Sequence, residues 1–249
     1  MLENPTKSEG KCLFCGKTFA KASINRHLKT HLEEKAGNGS AGVSYLVKVE
    51  TAQRRGYGST PYFLSLWIDG EATMKTIDKF LRDIWLECCG HLSAFRVSMK
   101  QRSMNNPMQF IRNSMYNMSF DNDGDIAMSK KVKSVFRSKD LKIDYEYDFG
   151  STTALQLTAI DIFPIKADKK IVLISRNEPI GWLCDKCGKE KATQVCSICE
   201  DESIFCDKCA SKHAEECEDF ADYASMPVVN SPRMGVCGYV GGVIDKERD

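Results

Sequence analysis

YFLSLWIDGEATMKTIDKFLRDIWLECCG, residues 62–90, is the stretch on which the fold turns. Tyr62-Phe-Leu-Ser-Leu-Trp-Ile68 reads as a strand, and Asp69-Gly70 marks a turn. Met74, Ile77, Phe80, Leu81, Ile84, Trp85 and Cys88 then recur at intervals of three and four, the spacing of an amphipathic helix. Thr73 is placed to cap its start and Gly90 to stop it. Working outward, Tyr45–Glu50 and Ser93–Ser98 read as strands, and 100–125 as irregular chain. Ser129–Phe136 reads as a short helix, and Leu141–Tyr147 and Thr153–Phe163 as strands joined at Asp148-Phe-Gly-Ser151. The mixed order predicts an α+β domain over 43–176, with a central mixed, largely antiparallel sheet and one amphipathic helix. On either side the chain changes character. A small ββα zinc finger is expected in 1–35, a flexible linker in 36–42 and a two-zinc cysteine-rich module with its tail in 177–249.

The chain has 249 residues, with 35 Lys+Arg against 34 Asp+Glu, a net charge of +1. That balance excludes an electrostatic grip on DNA or an anionic membrane by the whole protein. Charge is instead divided by segment. Residues 1–42 carry 7 basic and 4 acidic side chains, whereas 184–222 carry 5 basic and 11 acidic, a net of −6. No apolar run approaches the roughly 20 residues that span a bilayer, and the polar start lacks a signal-like apolar stretch. A soluble, cytoplasmic protein without a membrane partner is expected, its 12 cysteines held as thiols or thiolates.

Cys12-x2-Cys15-x11-His27-x3-His31 can close a tetrahedral zinc site, since the i, i+4 spacing puts both histidines on one helix face. Phe19, Ile24 and Leu28 would be its small core. The segment resembles the two-Cys-two-His zinc finger, with 11 residues between Cys15 and His27 where 12 is usual. The basic residues Lys17, Lys21, Arg26 and Lys29 are its candidates for phosphate contacts with DNA or RNA.

The C-terminal array is Cys184-x2-Cys187-x8-Cys196-x2-Cys199-x6-Cys206-x2-Cys209-x3-His213-x3-Cys217, eight ligands for two structural zincs. Ala210–Cys217 reads as helical. At 1.5 Å per residue, Cys209 and Cys217 would stand about 12 Å apart on that axis and could not share one ion. The ligands therefore interleave. Cys184, Cys187, Cys206 and Cys209 take one zinc, and Cys196, Cys199, His213 and Cys217 the other. This resembles the cross-brace of MYND and B-box modules, which implies protein binding. Cys237, on a Cys-Gly turn, is a further candidate that could replace His213 or Cys217. Arg233, on a Pro-Gly turn, is read as part of an ordered docking segment or as an anchor for an acidic partner.

The order of strands and helix in 43–176, ending in Tyr145-Glu-Tyr-Asp-Phe-Gly150, resembles the plasmid ORF-three-like (transposon passenger) family of prokaryotic proteins. That resemblance implies a link to mobile elements without supplying an activity. Other motifs carry less. Asp148-Phe-Gly150 lacks the companion loops of a kinase and reads as a hairpin turn. Asp121–Asp125 lacks the later ligands of a calcium loop. Cys88, Cys89 and His91 hint at metal, but adjacent cysteines at a helix end read as packing residues. The basic run Lys130, Lys131, Lys133, Arg137, Lys139 and Lys142 reads as a solvated face that could extend phosphate contacts. The expected function is a three-zinc, nucleic-acid-associated adaptor or regulator with no catalytic residues. In it the finger faces DNA or RNA and the acidic module faces a protein. One alternative is a protein adaptor that binds no nucleic acid; another is an enzyme with a site around Tyr145, Tyr147 and Asp148.

Overall fold

Thr73 caps the helix that follows the β-turn. Its hydroxyl accepts from the Thr76 amide at 3.3 Å, and the Thr76 hydroxyl faces back to the Thr73 amide. The computed structural model describes residues 8–52, 61–98, 124–199 and 203–249. Most of the 100–125 stretch, including 121–123 of the calcium-loop lookalike, lies outside them.

The strands are β1 (Glu9–Cys12), β2 (Thr18–Ala20), β3 (Ala41–Thr51), β4 (Phe63–Asp69), β5 (Ser93–Val97), β6 (Lys142–Tyr147), β7 (Thr153–Ile165) and β8 (Ile171–Asn177). They form one sheet in the order β2-β1-β8-β4-β3-β7-β6-β5. Every ladder in it is antiparallel. The fold is α+β. Helix α1 (Ile24–Ala36) belongs to the finger, α2 (Met74–Leu81) follows β4, and α3 (Val132–Val135) is a single turn.

The 62–68 run is apolar without alternation because β4 is buried on both faces. Leu64, Leu66 and Ile68 join the core shared with α2. Phe63 and Trp67 point to the other side, into a core with Ile24, Leu28 and Leu32 of α1. The finger is therefore one layer of the main fold. Its hairpin extends the sheet, with Gly10, Lys11 and Cys12 of β1 opposite Asn177, Arg176 and Ser175 of β8. Gly10 is required there, since a Cβ would stand 2.5 Å from the Phe63 ring and 2.9 Å from the Arg176 carbonyl. The interval 36–42 holds the end of α1, a short turn and the first residues of β3.

Beyond Leu81 the helix widens into a π-type turn over Arg82–Leu86. The Asp83 carbonyl accepts from the Val243 amide of the tail at 2.7 Å. The C-terminal module adds a small sheet, β9 (Gln194–Cys196) between β10 (Ile204–Phe205) and β11 (Ser225–Pro227), and helix α4 (Asp207–Glu216). Among the described residues no helix is long and apolar enough to cross a membrane.

Candidate metal centres

Four groups of Cys and His place their donor atoms within 4.8 Å of one another. In tetrahedral coordination, with metal–sulfur bonds of about 2.3 Å and metal–nitrogen bonds of about 2.0 Å, donor-to-donor edges span about 3.3–3.8 Å. The donor chemistry, thiolate and imidazole only, suits zinc and excludes magnesium or calcium.

In the finger, Gly16 at φ +74 turns the chain so that its amide reaches the Cys12 carbonyl at 2.8 Å, bringing Cys15 back beside Cys12. Helix α1 supplies His27 and His31. Cys15 Sγ lies 3.3 Å from His27 Nε2, and the two Nε2 atoms are 3.2 Å apart. Phe19 stacks on His27 with ring centroids 4.0 Å apart, and the Glu34 carboxylate lies 3.8 Å from His31 Nδ1, on the side of the ring away from Nε2. Burial, then His31 and Lys17, push His27 below the ordinary imidazole value, favouring the neutral form that binds metal.

In the C-terminal module Gly188, at φ +64, repeats the turn of Gly16, its amide on the Cys184 carbonyl at 2.8 Å. Cys184, Cys187, Cys206 and Cys209 form one group, and Cys196, Cys199, His213 and Cys217 the other. Cys206 precedes α4 and Cys217 follows it, so the helix spans both groups. His213 Nε2 lies 3.6 Å from Cys199 Sγ, its ring stacked on Phe205 at 4.3 Å and edged by Phe220. The core between the groups is little more than Phe205, Ala210, Phe220, Ala224 and the sulfurs themselves. Burial and the neighbouring sulfurs push the Cys199 and Cys209 thiols up to about 12. A divalent cation would displace those protons.

The fourth group is Cys88, Cys89, His91 and Cys237. The sequence alone suggests packing residues in Cys88 and Cys89 and a place near His213 or Cys217 for Cys237. Cys88 does pack against the core, but Cys89 is exposed, and Cys237 meets it from 148 residues away at 3.7 Å between sulfurs. The Cys-Cys-x-His spacing was the available signal. Its partner lay in no neighbouring segment, so local spacing could not complete the set.

Half of the cations expected to meet phosphate form ion pairs within the protein. Lys21 pairs with Glu50 at 2.8 Å and Lys29 with Asp161 at 2.7 Å, both across to the sheet. Lys17 and Arg26 are exposed. In the basic run, Lys131 and Lys133 both bind Glu71, and Lys139 binds Asp161. Glu71 is pulled down to about 2 by those two ammonium groups.

The residues named for a catalytic alternative are also engaged. Tyr145 is fully buried and donates to Asp78 at 2.8 Å. Asp148, at φ +62, accepts from the Gly150 and Ser151 amides and closes the β6–β7 hairpin.

No family model matches the chain, and no curated protein matches it. Among solved structures it is similar to MM3350, a protein of unknown function from Methanosarcina mazei Go1. The identity is 16% and the TM-score 0.36, over 55% of this chain and 68% of that one.

Proposed function

We propose that this chain is a zinc-dependent protein-interaction adaptor whose acidic C-terminal module docks a basic partner. The observation that carries the reading is that module's surface. Its ligand groups are complete with four protein donors each, leaving no open position for a reacting water. Around them it displays Leu183, Ile198 and Tyr223, exposed by 54%, 50% and 68%, amid a net charge of −6. The excess of acidic side chains supplies a negative field for a basic partner, and the three apolar side chains supply contact points. Tyr223 also borders a cleft of about 550 Å³ with Ser197, Met226 and Val236.

The second reading keeps nucleic acid as the finger's ligand, through Lys17 and Arg26. It is the weaker one, because Lys21 and Lys29 serve as struts to Glu50 and Asp161, which leaves two of the four finger cations for phosphate. The likeness of the central strands to plasmid ORF-three-like proteins stays with this reading as a proposal about origin.

The test is a pair of titrations on the full chain by fluorescence anisotropy. Short DNA and RNA duplexes at two salt concentrations should give no salt-steep binding. A labelled Lys/Arg-rich peptide should bind, and should lose at least tenfold in affinity with Ile198→Ala/Tyr223→Ala. Micromolar, salt-steep duplex binding abolished by Lys17→Glu/Arg26→Glu would instead establish the nucleic-acid reading.

A further inference from the structure

The chain contains 12 cysteines and 4 histidines, and every one of them falls into one of the four groups of four. None is left outside a group as a spare thiol or imidazole. Three groups are built from ligands close in sequence. The fourth joins the end of the α2 segment to the tail.

We propose that Cys88, Cys89, His91 and Cys237 hold a fourth, structural zinc ion that clasps the C-terminal tail onto the central sheet. The distances fit a tetrahedron drawn slightly tight. Cys88 and Cys89 sulfurs are 3.7 Å apart, as are those of Cys89 and Cys237. His91 Nε2 lies 3.0 Å from Cys89 Sγ and 3.2 Å from Cys237 Sγ. A disulfide would need one sulfur pair at about 2.05 Å and would leave a thiol and an imidazole converging on nothing. Three thiolates and one imidazole are a zinc set, complete at four ligands and so closed to substrate.

The surroundings are built for it. Cys237 and Gly238 both take left-handed backbone, φ +51 and +67, a conformation that costs the cysteine energy and aims its sulfur at Cys89. Arg233, four residues earlier and fully buried, reaches Cys88 Sγ at 3.5 Å and Asp148 at 2.7 Å. Its guanidinium offsets the charge of a three-thiolate site. Asp148 stands 3.4 Å from His91 Nε2 but is taken up by Arg233 and two backbone amides, so it backs the group rather than joining it. His91 edges the Tyr147 ring, on which Arg233 also lies. The Tyr147-Asp148 end of the Tyr-x-Tyr-Asp-Phe-Gly stretch is thereby the backing of a metal site. An ion here bridges residues 146 positions apart, and such a long closure removes much freedom from the unfolded chain.

The test is the metal content of the full chain, purified without chelator and measured by native mass spectrometry and elemental analysis. Four zincs are expected. Cys237→Ser and Cys89→Ser should each carry three, and protease should then release the tail faster while α4 stays protected. Three zincs in the wild type would overturn the proposal, as would four in Cys237→Ser. So would a denatured, unreduced mass two hydrogens light that maps to Cys89–Cys237. Should neither serine variant fold, the wild-type count and that mass still decide.

Discussion

Arg233 shows how much one side chain can organise. By sequence it reads as part of a docking segment or as an anchor for an acidic partner. In the structure the acid is internal. The guanidinium donates to Asp148, the Ser151 carbonyl and Thr153 Oγ1, and lies 4.8 Å from the Tyr147 ring centroid. Arg233→Ala should free the tail, read as rapid proteolysis beyond about residue 228 with helix and sheet content retained in circular dichroism. Arg233→Lys should rescue only part of this, because an ammonium cannot make the planar fork. Asp161 makes a different kind of prediction. Burial would raise its carboxyl, but Lys139, Lys29 and the Ile162 amide outweigh it and hold the group below its ordinary value. A lowered folded pKa gives stability that is present above the unfolded value and lost as pH falls through the folded one. Asp161→Asn should therefore cost about 1 kcal/mol or less at neutral pH, given that Lys29 and Lys139 are part-exposed. That difference should shrink only below about pH 4. Chemical denaturation of both proteins from neutral pH down to below about pH 4 checks the sign.

At the scale of elements, the helix after β4 was legible because its apolar positions repeat and Thr73 begins it. The three local ligand groups were legible for a similar reason, since spacing along the chain is itself the geometry of a turn or a helix face. Two things were hidden. Ile171–Asn177 was not read as a strand, for it ends in Arg176 and Asn177, residues that look like surface. They are buried because the tail satisfies them. Arg176 donates to Asp245 and Asp249, and Asn177 to Asn230 at 2.6 Å. The finger's place in the sheet was hidden too, because β1 alternates buried and exposed residues like any free hairpin and its partner β8 lies some 160 residues on. The consequence is energetic. Leu28→Ala, in the core shared by α1 and the sheet, should cost about 2–5 kcal/mol. Gly10→Ala should cost about 1–3 kcal/mol by forcing β1 off Phe63. Both should lower a single shared unfolding transition in calorimetry, and a separate finger transition would contradict the layering.

For the whole molecule, stability is divided unevenly between apolar burial and metal. The sheet has cores on both faces, and Val195, Ile204 and Met226 of the C-terminal module reach one of them, whereas the cluster around the module's own ligands is small, with Phe205, Ala210, Phe220 and Ala224 beside the sulfurs. Strong chelation should therefore melt the module first, with loss of amide protection across 184–217 in hydrogen exchange. The sheet strands β3, β4 and β7 should stay protected. Simultaneous loss of protection everywhere would show that the metals also carry the sheet.

The pairing of β1 with β8 also bears on how the chain is made. A ribosome adding about 5–20 residues per second takes on the order of ten to thirty seconds to travel from one strand to the other. The finger can gather its four ligands early in that interval. Ile24, Leu28 and Leu32 can meet Leu46, Phe63 and Trp67 soon after, but wait for Phe163, Ile165 and Ile174 of strands not yet synthesised. The nascent protein thus carries a helix whose apolar face is only partly covered until the later strands arrive.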